Sequence, residues 1–205
     1  MLFTDSYFTL TKSVEFLYKD RGSKFFGFAF PIKSESDIKE VLNGLRDKHP
    51  SATHHCYAWR LGPDKSRFRI NDDGEPSGTA GRPIYSQIQS NDLTDVLIVV
   101  VRYFGGTLLG VNGLIQSYRA SAAGAIAESG IVERFITFDY KLVFENEDTS
   151  PVMRVLKECH CEIINREYNE KNILTIRIMK KHLDQFHGSI KNLYKVAFSL
   201  ISDRT

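Results

Sequence analysis

The densest collection of residues able to do chemistry lies between Asn71 and Ser121. It begins with Asp72, Asp73 and Glu75 arranged around Gly74. Carboxylates this close together can share acid–base work or hold a hard cation. The calcium-loop spacing is absent, however, and Asp-Asp-Gly is also an ordinary turn. Upstream, His54, His55 and Cys56 stand side by side. Strand alternation would put His54 and Cys56 on one face and His55 on the other, so at most two of them could share a ligand. Two ligands do not make a structural zinc site, and no orienting partner for a Cys–His nucleophile pair is evident. Cys159-His160-Cys161 sits at a helix end and reads as incidental.

The second chemical feature is the run Gly105-Gly106-Thr107-Leu108-Leu109-Gly110, which opens into a helix with Gly113 in its first turn. Free backbone N–H groups and the helix dipole make such a start attractive to anions. No Lys-Ser/Thr follows the last glycine, so it is not a P-loop, and the glycine spacing is not that of a dinucleotide fingerprint. Arg102 precedes the loop and Arg119 lies two turns into the helix. Seven of the 14 glycines fall between Gly74 and Gly113, which reads as a surface built for close approach by something else.

The elements that must position these residues follow from periodicity. Val14–Lys19 and Lys24–Ile32 read as a hairpin through Asp20-Arg21-Gly22, with Gly27 and Ala29 leaving one face thin. A helix capped by Ser34 or Ser36 carries Ile38, Val41, Leu42 and Leu45 and stops at His49-Pro50. His54–Leu61 pairs with Arg67–Ile70, and a short helix runs about Pro83–Gln89. Val96–Val101 is apolar at every position, as a central strand covered on both faces would be. Asn112 is read as the N-cap of the alanine-rich helix that ends at Gly130.

From Ile136 the pattern becomes β-α-β-β-α-β: strands near Ile136–Glu145, Glu162–Tyr168, Ile173–Met179 and Val196–Ser202, with helices after Ser150-Pro151 and around Leu183–Leu193. That order is the ferredoxin-like unit. The fold class is therefore α+β, with a first domain at 1–134 and a second at 135–205, the boundary lying near Glu133–Ile136. The second sheet offers Thr137, Asp139, Lys141, Thr175 and Arg177 where RNA-recognition modules carry stacking aromatics, which argues against base stacking there.

Composition narrows the classes further. The chain has 205 residues, 42% hydrophobic and 25% charged, as in an ordinary globular protein. Residues 1–137 hold 16 basic and 15 acidic side chains and residues 138–205 hold 11 and 10, so neither part is a bulk-basic nucleic-acid domain. The longest apolar run, Val96–Val101, cannot span a membrane, and the residues after Met1 do not form an export signal. Three cysteines without framework spacing suit reduced cytosolic thiols. A cytoplasmic protein with no cofactor and no metal is expected.

Ser23-Lys24-Phe25, His54–Trp59, Asp72–Pro83 and Val99–Gly113 together resemble the Impact family, whose bacterial branch is the YigZ type. DDGEPSGTAG and VVVRYFGGTLLGVNGL are long and specific, and the resemblance spans the whole chain. It implies a first domain with the left-handed βαβ fold of a small-subunit ribosomal protein and of elongation factor G, and a second domain like the last domain of that factor. It implies work linked to RNA, the ribosome or a translation protein, without catalysis. Eukaryotic relatives restrain a starvation-responsive initiation-factor kinase by competing for its activator, a system that bacteria lack. No catalytic residue carries over. The expected contact surface takes in Lys24, His54, His55, Asp72, Asp73, Glu75, Thr79, Arg82, Arg102, Tyr103, Gly105, Gly106, Gly110, Gly113 and Arg119. Two rival readings remain. One is an enzyme acting on a small phosphorylated or anionic substrate held between Asp72-Asp73-Glu75 and Gly105–Gly113. The other is a protein-binding module that uses apolar surface around Tyr103, Phe104, Leu108 and Leu109.

Overall fold

A computed structural model describes residues 5–204, so the reading of the first four residues as lacking an export signal lies outside the described residues. The chain divides into two units, one covering Tyr7–Arg134 and the other running from Phe135 onward together with the stretch up to Ser6.

The first unit contains β1 (Ser6–Leu10), β2 (Val14–Asp20), β3 (Ser23–Pro31), α1 (Glu35–Lys48), β4 (His54–Leu61), β5 (Arg67–Asn71), α2 (Gly81–Ser90), β6 (Val96–Tyr103), α3 (Gly110–Ser129) and β7 (Ile131–Phe135). Five strands form one sheet in the order β2-β3-β6-β4-β5, every neighbour antiparallel. β3 and β4 therefore run parallel on either side of β6, joined by α1. β5 and β6 flank β4 in the same way, joined by α2. These are split βαβ crossovers, in which a third strand is slotted between the connected pair.

Two layers of helix cover the sheet. α1 sits on the face presenting Phe28, Tyr57, Trp59, Leu97, Val99 and Val101, against which Ile38 and Leu45 pack. Its start is fixed by a capping box in which Ser34 accepts from Asp37 N and the Asp37 carboxylate accepts from Ser34 N. α2 and α3 cover the opposite face, where Phe25, Cys56, Ala58, Ile98 and Val100 meet Ile84, Ile88, Tyr118, Ala122 and Ala125. α3 approaches β3 so closely that a Cβ on Gly27 would stand 2.6 Å from the Ser121 carbonyl oxygen, which explains the thin face of β3. Val96–Val101 is buried at every residue, as its uniform apolarity requires.

Two details differ from the sequence-based expectation. β1 and β7, neither of them expected, pair as a two-stranded sheet. Helix α3 begins at Gly110 rather than beyond an Asn112 cap, with Leu109 in the N-cap position and no side-chain cap. Gly110, at φ +70°, turns the chain into the helix, and Asn112 is already inside its first turn.

The second unit contains β8 (Thr137–Phe144), α4 (Thr149–Glu158), β9 (Glu162–Tyr168), β10 (Asn172–Met179), α5 (Leu183–Lys191) and β11 (Ala197–Arg204). Its sheet order, β11-β8-β10-β9, is the ferredoxin-like arrangement. Tyr140, Leu142, Leu174 and Ile176 pack against Val155, Leu156, Phe186 and Ile190. On the other face Arg177 makes a two-pronged bond to Asp139 at 2.9 and 3.1 Å, at positions where an RNA-stacking sheet would carry aromatic rings. Among the described residues, no helix is long and apolar enough to cross a membrane.

Candidate functional site

Register brings Phe25, Arg102 and His54 side by side at one end of the sheet, on the α3 face. The Arg102 guanidinium lies 5.4 Å from the centre of the Phe25 ring and 5.6 Å from that of Phe104. A flat, weakly hydrated cation suits this apolar slot better than an ammonium would. Its Nη1 donates to Glu75 Oε1 at 2.6 Å, and the Tyr118 hydroxyl, from α3, donates to the same oxygen at 2.7 Å. His54 Nε2 lies 3.9 Å from that oxygen, while its Nδ1 donates to the Asp73 carbonyl at 2.8 Å. Burial and the neighbouring Cys56 and Glu75 push the Tyr118 phenol far up, so it remains a donor. The Cys56 thiol, within hydrogen-bonding distance of the Asp72 carbonyl and the Tyr118 hydroxyl, is also pushed up by burial. Burial thus favours the thiol over the thiolate.

The three carboxylates of the acidic loop do three separate jobs. Asp72 accepts from the backbone N–H groups of Gly78, Ala80 and Gly81 at 2.9, 3.1 and 2.8 Å, and so caps the start of α2. Asp73, at φ +42°, accepts from His55 N at 2.6 Å and from Arg46 Nη2 at 3.2 Å. Only Glu75 turns inward. Thr79 braces the loop by donating to the Pro76 carbonyl. The expected sharing of acid–base or metal work among Asp72, Asp73 and Glu75 is thus not what the geometry provides. Among the described residues, no group of three or more His, Cys, Asp or Glu is placed to hold a metal ion.

The glycine-rich loop is likewise occupied with its own chain. A Cβ on Gly105 would lie 2.0 Å from the Gly22 carbonyl carbon, because the loop is pressed onto the β2–β3 turn, where Gly105 N donates to Ser23 Oγ. Gly113 faces the Arg21 guanidinium, which donates to the Leu109 carbonyl. Gly106 and Gly110 have positive φ. Gly105 and Gly113 thus meet their own chain, whereas nothing lies within 4 Å of a would-be Cβ on Gly106 or Gly110.

Above Glu75 and Arg102 opens a groove of about 450 Å³ whose walls include Thr53, His54, Pro76, Leu109 and Leu114. Its rim carries Phe104, Leu108 and Val111, which are 46, 84 and 57% exposed. Of the other expected residues, Arg82 and Arg119 point to solvent from α2 and α3 and do not line the groove. Lys24, Tyr103 and His55 alternate onto the α1 face of the sheet. The anticipated single surface is therefore divided between two faces. Tyr118 and Val111 were not singled out: Tyr118 reads as one more apolar helix position until its hydroxyl is placed.

This two-unit α+β architecture carries an Impact N-terminal domain, whose family model matches residues 21–126. IMPACT family member YigZ of Escherichia coli is 31% identical over 166 residues, covering 80% of this chain and 81% of that protein. The chain belongs to the IMPACT family. A crystal structure described only as a hypothetical protein matches with a TM-score of 0.70 at 26% identity, covering 98% of this chain and 100% of that one. The two-domain translational regulator Yih1 matches 60% of this chain and 47% of its own at 30% identity, with a TM-score of 0.37.

Proposed function

We propose that the protein is a cytosolic, translation-linked regulator that works by binding a translation-associated protein through the groove beside Phe104, Leu108 and Val111, without catalysing a reaction. The observation that carries this reading is an exposed apolar rim over a polar floor in which the Arg102 and Glu75 charges are paired with each other. Family membership supplies the link to translation. Arg102 is buried and ion-paired to Glu75, so a protein surface fits the groove better than a nucleic-acid backbone does. An exposed apolar patch rimmed by polar residues is a usual mark of an interaction site. The three free cysteines are compatible with a reducing compartment.

The enzyme alternative has less support. Asp72 and Asp73 are engaged by backbone N–H groups, and Gly105 and Gly113 of the loop that was to hold an anion face their own chain. Affinity capture from native extract, followed by reconstitution with the purified captured protein, tests the proposal. Leu108→Asp should abolish a one-to-one complex with a translation component while leaving the fold intact. Capture that survives this change, or that disappears with nuclease treatment, would overturn the reading.

A further inference from the structure

On the α1 face of the same sheet lies a second pocket of about 330 Å³, lined by Gly22, Lys24, Phe26, His49, Tyr103 and Phe104. Phe26, His49 and Tyr103 form its aromatic floor, with ring centres 5.6–5.9 Å apart. His49, at the end of α1, bonds through Nδ1 to the Tyr103 hydroxyl at 2.9 Å. Its other ring nitrogen, Nε2, is buried and has no partner among the described residues. A buried polar atom in that state is costly, and it marks where a ligand's polar edge would be welcome.

Lys24 lines the pocket, Lys19 stands directly opposite it on β2, and Tyr103 follows in the same row on β6. Both lysines are exposed, and neither has an ion-pair partner among the described residues. Like charges in a cross-strand pair oppose folding, so their joint presence is explained by an anion that lies across both. An aromatic floor, an unpaired ring nitrogen and two adjacent cations match the three parts of a nucleotide: a base that stacks, a base edge that bonds, and a phosphate.

We infer that this pocket receives one unpaired base of a nucleotide, stacked beside Phe104 and Tyr103 with its edge on His49 Nε2 and its phosphate across Lys19 and Lys24. The site is independent of the groove proposal and shares with it only the Phe104 ring. Lys24 thereby serves a surface distinct from that of Arg102. An acidic peptide would satisfy the lysines but would leave the aromatic rings and the ring nitrogen unused.

Fluorescence anisotropy of a short labelled single-stranded RNA with the full chain at low ionic strength tests this. Tight binding is expected to the single strand and weak binding to the same sequence as a duplex. Lys24→Glu and His49→Leu should each weaken it by about tenfold or more, with the lysine change also lowering the salt dependence. Leu108→Asp should leave RNA affinity unchanged, so failure here and failure of the groove reading are separable. Adenosine monophosphate competing as strongly as the strand would identify free nucleotides as the source, and weaker competition would identify RNA. In both cases inorganic phosphate alone should compete poorly. If His49→Leu does not fold, the surface change Lys24→Glu decides the matter. Absence of binding at low salt, equal binding to duplex, or an affinity unmoved by Lys24→Glu would overturn the inference.

Discussion

Arg102 and Glu75, 27 positions apart, meet with Nη1 2.6 Å from Oε1, their side chains only 7 and 3% exposed. A pair so removed from water is stable only while both members are present. Arg102→Met should leave the Glu75 carboxylate with Tyr118 as its one close donor and cost about 3–5 kcal/mol in urea unfolding. The double change with Glu75→Met should recover most of that loss, because it removes both desolvated charges together. Additive losses would mean that the two residues do not act as a unit.

Asp72 holds the entry to α2 by accepting three backbone N–H groups. Asp72→Ala leaves Gly78, Ala80 and Gly81 without that acceptor and should cost about 2 kcal/mol, within the range for bonds to a charged group. Hydrogen exchange should accelerate at those three amides first, and Glu75 should lose its fixed position as the loop relaxes. Unchanged exchange there would remove the capping role.

How much of this was legible beforehand varies with the range of the interaction. Val96–Val101 declared itself a doubly covered strand, because nothing but burial on both faces tolerates six apolar residues in a row. The second unit's order followed from short-range periodicity alone. β1 and β7 were not legible, since each is five residues long and their pairing joins the two ends of the first unit. The acidic cluster and the glycines stood out in the sequence, but the contacts they make within the chain did not. Their real partners, such as Gly22 for Gly105 and the α2 start for Asp72, emerge only once the chain has folded. Tyr118 was hidden for the same reason: its ring obeys the helix stripe, and only the hydroxyl reaches Glu75.

Stability should fall as the solution is acidified, through two histidines. Burial, with Lys48 nearby, lowers the pKa of His49 below 6.5, and burial, with Arg46 nearby, does the same for His55. The unfolded chain takes up these protons near pH 6.5, whereas the folded chain resists them until a lower pH. Protons therefore favour the unfolded state, and stability is lost as pH drops through 6.5. His49→Leu should flatten the unfolding midpoint between about pH 7 and pH 5 relative to the parent, since a neutral side chain has no proton to gain. An identical pH slope in the variant would assign the effect to other groups.

Two glycine-to-alanine changes should move stability in opposite directions. At Gly105 the new Cβ would meet the Gly22 backbone at 2.0 Å, and backbone cannot swing aside as a side-chain tip can. The turn and the loop must separate, which should cost about 1–3 kcal/mol and loosen the Phe104 side of both pockets. Gly44 lies inside α1 with nothing within 4 Å of its would-be Cβ, so alanine there only reduces the freedom of the unfolded chain. A gain of about 0.5–1 kcal/mol is expected. Denaturant midpoints of the two variants, measured side by side, check the assignment. If Gly105→Ala were neutral, the contact between the glycine loop and the β2–β3 turn would not be the reason for glycine at that position, and the loop would again be open to the ligand its sequence first suggested.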